Sequence, residues 1–113
     1  MLLSDLSEAY ACNLDIMNLT CAPNKAINVT SASYGQYDVS GDCDVDQCCV
    51  PKPTDCTESL QENHPVDWAA LKDECDAQTD CVFQVQATLV QACDDPYISS
   101  YMQVYYVCLP GES

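Results

Sequence analysis

The sequence predicts a small, mainly β domain with minor α content, in which disulfide bonds reinforce a modest core. Ten cysteines in 113 residues are a density typical of secreted disulfide scaffolds. Four stretches alternate apolar and polar residues with the period of two expected of strands, and one stretch has helical spacing. The length allows one domain, and an apolar fraction of 48% is enough for a modest core.

The cysteines indicate an oxidising compartment rather than a metal site. The chain has one histidine and no paired C-x-x-C motif, so neither common type of zinc site is available. We therefore expect a secreted or extracellular protein with no metal and no other cofactor. The cysteines are Cys12, Cys21, Cys43, Cys48, Cys49, Cys56, Cys75, Cys81, Cys93 and Cys108.

The charge balance limits the possible partners. The chain has 18 acidic residues against three lysines and no arginine, which gives a net charge of −15. Such a charge repels phosphate backbones, so we expect no nucleic-acid partner. The absence of arginine removes bidentate recognition of sulfate or phosphate. No stretch approaches the ~20 apolar residues of a membrane span, so membrane insertion is not expected.

The cysteines also bracket the predicted domain. Residues 12–108 form one unit, residues 1–11 are predicted to be an N-terminal arm or leader, and residues 109–113 a tail or linker. The N-terminus lacks a basic segment, and Asp5 and Glu8 interrupt its apolar run, so it does not have the pattern of a signal peptide. We therefore expect a processed form or one segment of a longer secreted protein.

Two strands are predicted in the first third of the chain. In 14–21 the apolar residues Met17 and Leu19 alternate with polar ones, and in 26–34 Ile27 begins the same pattern. This alternation is expected when one face is buried and the other is solvated.

The middle of the chain is predicted to be a loop followed by helix. The acidic, cysteine-bearing stretch 35–56 is predicted to be an ordered loop, and 57–62 a short turn with a capping-box pattern. A helix is predicted over 65–76, because Pro65 is tolerated in a first turn. Within it one apolar stripe has the spacing i, i+3, i+7. The stripe consists of Trp68, Leu71 and Cys75.

Two further strands complete the predicted elements. In 81–87 Phe83 and Val85 alternate with glutamines. In 101–108 Met102 and the residues at 104, 106 and 108 alternate with polar or tyrosine positions.

Cysteine spacing and short motifs together match the pattern of a known family. They are the spacings Cys12–Cys21 and Cys75–Cys81, the motif Ser31-Ala32-Ser33-Tyr34-Gly35, the pair Asp55-Cys56 and the closing stretch Tyr101–Cys108. Over residues 12–108 this pattern resembles the sea-urchin-egg-lectin type domain, also called the rhamnose- or galactose-binding lectin domain.

The resemblance implies a fold and a disulfide pairing. The fold is a disulfide-stapled antiparallel β-sandwich of about five strands with one or two short helices. Cys48 and Cys49 are additional to the family pattern, so either the pairing around 43–56 is rearranged or one of the two bonds another chain. The implied pairs are Cys12–Cys43, Cys21–Cys108, Cys56–Cys93 and Cys75–Cys81.

The resemblance also implies a set of ligand-binding positions. In the family, polar side chains hold sugar hydroxyls while an aromatic side chain packs on the ring. The matching positions here are Asn13, Ser33, Tyr34, Gly35, Asp95, Ser100 and Tyr101. Tyr34 and Asp95 are retained. Other family residues are replaced: glutamate by Asn13, asparagine by Ser33, arginine by Gln36 and lysine by Ser100.

Two N-glycosylation sequons begin at Asn18 and Asn28. Each asparagine is predicted to lie on the polar face of its strand, where a glycan could be attached.

Three other features have a structural interpretation. Asp42, Asp44 and Asp46 alternate as in a calcium loop, but the following glycine and closing glutamate are missing, so a solvated acidic loop is expected. His64 has no nucleophile in a matching context and is predicted to be a surface histidine. Trp68 is predicted to belong to the core.

Four tyrosines cluster near the C-terminus, at 97, 101, 105 and 106. Tyr101 and Tyr105 share one face of the predicted strand. An exposed tyrosine face can bind a sugar ring or a protein. Alternatively, the tyrosines reflect ordinary strand composition, because tyrosine is enriched in strands. Both interpretations stay open.

The leading functional hypothesis is a non-enzymatic recognition module that binds a glycan or glycoprotein near Tyr34 and Asp95. The alternative is a structural or adhesive protein that forms a homo-oligomer or an extracellular assembly without binding sugar. An enzyme is the weakest option, since no nucleophile, paired-acid motif or phosphate loop is recognisable.

Overall fold

A computed structural model describes residues 6–36, 55–91, 93 and 98–110. These contain six strands and two helices. The elements are β1 (Ser7–Cys12), β2 (Ile16–Thr20), β3 (Lys25–Gln36), β4 (Cys56–Ser59), α1 (Leu60–Asn63), α2 (Pro65–Cys75), β5 (Asp80–Gln84) and β6 (Tyr101–Pro110). The predicted class, a disulfide-stapled and mainly β antiparallel domain with minor helix, is confirmed.

The strands form two antiparallel sheets. One has four strands in the order β1-β6-β3-β4, and the other pairs β2 with β5. The two longest strands, β3 and β6, lie at the centre of the larger sheet and pair from Lys25↔Pro110 to Gly35↔Tyr101. A bulge between Val29 and Ser31 shifts the register along this ladder. The first and last strands of the chain are therefore neighbours.

The core lies between the two sheets and is closed by α2, which contacts β3 and β5. Alternation decides which side chains enter it: Met17 and Leu19 are fully buried, whereas Asn18 between them is exposed. Tyr106 connects the layers, because its hydroxyl donates to the Thr20 carbonyl oxygen at 3.2 Å. This two-layer arrangement is the sandwich that the resemblance implies.

Two strands were not predicted from the sequence. Residues 7–11 were assigned to an arm, but they belong to β1, which pairs with β6 and buries Ala11. That assignment was wrong for these residues, because small alanines give a weak apolar pattern and the strand depends on its partner. Likewise Leu109 and Pro110, assigned to a tail, extend β6. The third correction is β4, which occupies the first part of the predicted turn at 57–62.

The helical region follows the prediction closely. His64 separates α1 from α2 because the residue before a proline disfavours helical backbone. Pro65 then begins α2, in which Leu71 and Cys75 are buried and Trp68 packs partly against the core. Neither helix of the described residues is long and apolar enough to cross a membrane.

Three disulfides join the described cysteines in the pairs that the resemblance implies. They are Cys21–Cys108, Cys56–Cys93 and Cys75–Cys81. Cys12 is also disulfide-bonded. Cys43, its expected partner, and Cys48 and Cys49 lie outside the described residues, as do the acidic positions Asp42, Asp44 and Asp46.

Candidate functional site

Tyr34 is the centre of the best-formed polar cluster in the described residues. It lies near the end of β3 on the face covered by α2, and its side chain is 4% exposed. Its hydroxyl donates a hydrogen bond of 2.8 Å to Oδ2 of Asp67 in α2. Its ring meets the His64 ring edge-on, with centroids 5.0 Å apart and planes at 83°.

His64 and Glu58 extend this cluster. Glu58 of β4 stands opposite Tyr34 in the sheet register, so both side chains lie on the same face. Nε2 of His64 lies 2.7 Å from Oε2 of Glu58. The His64 side chain is 14% exposed, so the prediction of a surface histidine was wrong. We call Tyr34, Glu58, His64 and Asp67 the Tyr34 cluster.

The electrostatics of the cluster keep Tyr34 neutral. Burial raises the pKa of Tyr34 to about 12, a hydrogen bond with Thr88 opposes that rise, and the Asp67 carboxylate adds to it. At ordinary pH the phenol is therefore a hydrogen-bond donor. The carboxylates of Glu58 and Asp67 are acceptors beside it.

Two cavities open beside the Tyr34 cluster and share Thr88 in their walls. The larger, of about 420 Å³, is lined by Glu58, His64 and residues of the 88–91 segment. The smaller, of about 260 Å³, is lined by Tyr34, Asp67 and Phe83 among others. The larger volume falls in the range of small-molecule sites. The amide side chains in the two walls are Asn63, Gln84, Gln86 and Gln91.

Three predicted ligand-binding residues lie in a backbone junction instead. The backbone N–H of Asn13 donates to the Ser100 carbonyl at 3.0 Å, and the backbone N–H of Ser100 donates to the Gly35 carbonyl at 2.7 Å. Nδ2 of Asn13 donates to the Ser99 carbonyl at 2.5 Å. These bonds hold the turn after β1 against the start of β6. The three positions are together in space, and their main role is to join strands.

Strand alternation separates Ser33 and Gly35 from Tyr34. Since Tyr34 faces α2, its two neighbours face the opposite side of the larger sheet. Ser33 stands there opposite Ser59 and Gln103. The structure therefore does not bring Ser33 and Tyr34 side chains to one site. Asp95, the other retained family residue, lies outside the described residues.

Tyr101 also lies on the face away from Tyr34, and it is fully buried. Its ring packs directly on Gly35, where any Cβ would collide with it. Its hydroxyl donates to Oδ2 of Asp55 at 2.8 Å. Burial, and then Asp55, raise the pKa of Tyr101. Of the two interpretations left open for the tyrosines, ordinary strand composition fits Tyr101, which is buried, better than an exposed binding face, and Tyr105 is half-buried.

The remaining candidates are placed as follows. Asn18 is exposed on β2, whereas Asn28 is half-buried on β3. Lys72 Nζ lies 5.3 Å from the centroid of the Trp68 ring, so one face of that ring is occupied by a cation.

Sequence reasoning missed Glu58, His64, Asp67 and Thr88. The break between the two helices was a usable signal for His64. A residue that ends α1 and precedes α2 has its position fixed by both helices. Glu58 and Asp67 gave no signal, because an acidic residue in a chain with 18 of them is unremarkable until the fold brings it beside Tyr34.

Fold and site together define a small disulfide-bonded β domain with a polar and aromatic cleft. No family model matches the chain. The chain is similar to protein eva-1 homolog C of Homo sapiens, with 33% identity over 104 residues, and equally to the Pan troglodytes protein of that name. The Mus musculus protein of the same name is 31% identical over 109 residues.

These similarities cover 91% of this chain for the human protein and 92% for the mouse protein. The chain spans only 22% of the length of each of these relatives. The similarity therefore concerns one segment of much longer proteins.

Proposed function

We propose that this chain is an extracellular, non-enzymatic recognition module that binds a glycan or a glycoprotein in the cleft around Tyr34. The observation that carries this proposal is the Tyr34 cluster beside two cavities. It combines carboxylate and phenol oxygens as acceptors, side-chain amides as donors and an aromatic wall, Phe83. Sugar hydroxyls require donors and acceptors together, and the apolar face of a pyranose ring packs on aromatic rings.

The composition of the cleft favours neutral sugars. Glu58, Asp67 and Glu74 contribute carboxylates, and the described residues that line the two cavities include no lysine. A sialylated or sulfated glycan would meet these carboxylates without a lysine or arginine in the described lining to pair with, which is unfavourable at short range. We therefore propose neutral hexoses or deoxyhexoses as the ligand class. The disulfides support an extracellular setting.

A glycan array probed with the folded, secreted domain tests the proposal. We expect binding to neutral terminal sugars, and Tyr34→Phe should weaken it about fivefold, since one hydrogen bond contributes roughly 1 kcal/mol. Ser59→Ala, on the opposite face of the sheet, is the matched control and should bind as the original does. Absence of binding to every glycan would overturn the proposal.

A structural or adhesive role is the second candidate. It is supported by the junction of Asn13, Ser100 and Gly35, where the backbone groups and the Asn13 side-chain nitrogen make hydrogen bonds that join strands. In this proposal the fold packs on another protein or on itself. Sedimentation of the native material, with non-reducing and reducing gels, tests it: a monomer at all concentrations that is unaffected by reductant would exclude self-assembly.

A further inference from the structure

The outer face of the β2–β5 sheet carries two exposed apolar side chains beside Asn18, and its other exposed positions are Thr20, Asp80 and Gln84. Ile16 is 59% exposed and Val82 is 55% exposed. Val82 stands opposite Asn18 in the register, and Ile16 precedes Asn18 by two positions on the same strand. All three side chains therefore share one face. We call Ile16 and Val82 the β2–β5 patch.

The register fixes this exposure. Met17 and Leu19 are fully buried on the inner face, so a one-residue slip that hid the patch would expose the core. A two-stranded sheet is marginal by itself and has two open edges. The exposed apolar side chains Ile16 and Val82 favour association of this sheet with other chains.

The turn leading into this sheet adds a third exposed apolar side chain. Leu14 is 66% exposed and has a backbone φ of 70°. This left-handed conformation is unfavourable for a residue with a Cβ. The Leu14 side chain gains little burial in return and faces outward.

We propose that Asn18 carries an N-linked glycan and that this glycan covers the β2–β5 patch. Asn18-Leu19-Thr20 is a glycosylation sequon, and Asn18 is exposed between the two apolar side chains. The first sugar attached at Asn18 lies within reach of Ile16 and Val82, where its C–H face can pack on them. The glycan thus replaces water over an apolar surface and blocks sheet association.

The modification needs only a co-reactant of the secretory pathway, an oligosaccharide linked through a diphosphate to a lipid. The Asn18 side-chain nitrogen forms a bond to the anomeric carbon of the oligosaccharide. The bond between that carbon and the diphosphate oxygen breaks, the amide loses one proton, and the lipid diphosphate leaves. No oxidation or reduction occurs.

The second sequon offers a different environment. Asn28 is half-buried on β3, opposite Val107 of β6 and between the buried residues Ile27 and Val29. A glycan at Asn28 would not contact the β2–β5 patch, which belongs to the other sheet. Asn28 is therefore the matched control position.

Secretion of the chain from eukaryotic cells, with intact mass measurement and peptide mapping, tests occupancy. We expect Asn18→Gln to lose one oligosaccharide mass, and Asn28→Gln and Thr20→Ser to retain the glycan at Asn18. Secreted protein with an unmodified Asn18 would overturn the proposal.

Shielding is tested on folded protein, so that a failure of the Asn18→Gln variant to be secreted does not matter. Enzymatic removal of the glycan should raise the fluorescence of a hydrophobic dye and shift the protein toward self-association. The same treatment of an Ile16→Thr, Val82→Thr double variant should cause neither change. If deglycosylation leaves dye binding and association unaltered in the original chain, the glycan does not shield the patch.

Discussion

Two tyrosine–carboxylate pairs lie on opposite faces of the larger sheet, and they differ in what surrounds them. Tyr34 donates to Asp67 and Tyr101 donates to Asp55, each at 2.8 Å. Burial is the main cause of the raised pKa of both tyrosines. Yet Tyr34 borders a cavity, whereas the Tyr101 ring is closed against Gly35.

The same chemical pair can therefore border an open cleft or fill a closed core. In the register Tyr34 stands opposite Met102 and Gly35 opposite Tyr101, so consecutive residues of β3 serve different faces. A tyrosine becomes available to a ligand only where neighbouring elements leave space beside its polar end. Here the 88–91 segment and α2 leave that space.

Cys56–Cys93 connects the two environments, and its loss should have a large effect on stability. Cys56 follows Asp55, and Cys93 follows the 88–91 segment that lines the larger cavity. The bond closes a loop of 37 residues, so a Cys56→Ala, Cys93→Ala variant should lose about 4 kcal/mol of unfolding free energy. Denaturant unfolding measures this loss.

A matched control is Cys75→Ala, Cys81→Ala, whose bond separates residues only six apart. The same chain-entropy argument gives about 2 kcal/mol for that pair. Equal losses for the two variants would show that loop length does not determine these stabilities.

Gly35→Ala should have the next largest effect, because Gly35 lies against the Tyr101–Asp55 pair. The new Cβ would overlap the Tyr101 ring, which is fully buried and bonded to Asp55. Overpacking of this kind costs about 2–3 kcal/mol. The cost should shrink in a Tyr101→Ala background, because the colliding ring is gone. An undiminished cost in that background would mean that Gly35 is needed for its backbone conformation and not for the space occupied by the Tyr101 ring.

The Tyr34–Asp67 pair predicts that stability depends on pH. The pKa of Tyr34 rises from 10.0 to about 12 in the folded state, so folded protein holds this proton more tightly than unfolded protein. Its contribution is complete below pH 10 and is lost as pH rises through 12, about 2–3 kcal/mol in total. Unfolding free energies across this window should fall less steeply in Tyr34→Phe. A slope that the substitution leaves unchanged would assign the effect to other groups.

The two phenylalanine variants should have the smallest and most informative effects. Tyr101→Phe removes a hydrogen bond in a closed site and should cost about 1–2 kcal/mol of stability. Tyr34→Phe should cost about 1 kcal/mol or less, because water in the cavity can bond to Asp67 instead. In a glycan-binding assay the order should reverse, with Tyr34→Phe weakening binding and Tyr101→Phe leaving it intact. Equal effects of both variants on binding would contradict a cleft at Tyr34.

The sequence was sufficient to predict the elements whose pattern is local. Alternation predicts the strands that contain Met17, Leu19 and Ile27, and Pro65 predicts the start of α2. The alanines of β1 did not, because that strand is defined by its pairing with β6. Periodicity describes one element at a time, and it contains no information about partners.

The site was less predictable for the same reason. Tyr34 was identified from a motif, but Glu58, His64 and Asp67 reach it from three different elements. The resemblance also placed Tyr34 and Tyr101 in one set of ligand-binding positions, whereas the register puts them on opposite faces of the sheet. Which tyrosine faces open space depends on the position of α2 and the 88–91 segment, which no local pattern specifies.

The neighbouring positions of β1 and β6 have a mechanical consequence. Because β1 runs antiparallel to β6 from Ser7, opposite Tyr106, the described chain enters and leaves the sheet at the same end. Tension between these ends would peel β1 from β6 one hydrogen bond at a time. Peeling stops at Cys12, the last residue of β1, because Cys12 is itself disulfide-bonded. Under load the described chain lengthens first only by the residues before Cys12, while β2 and the Tyr34 cleft stay folded behind that bond and Cys21–Cys108.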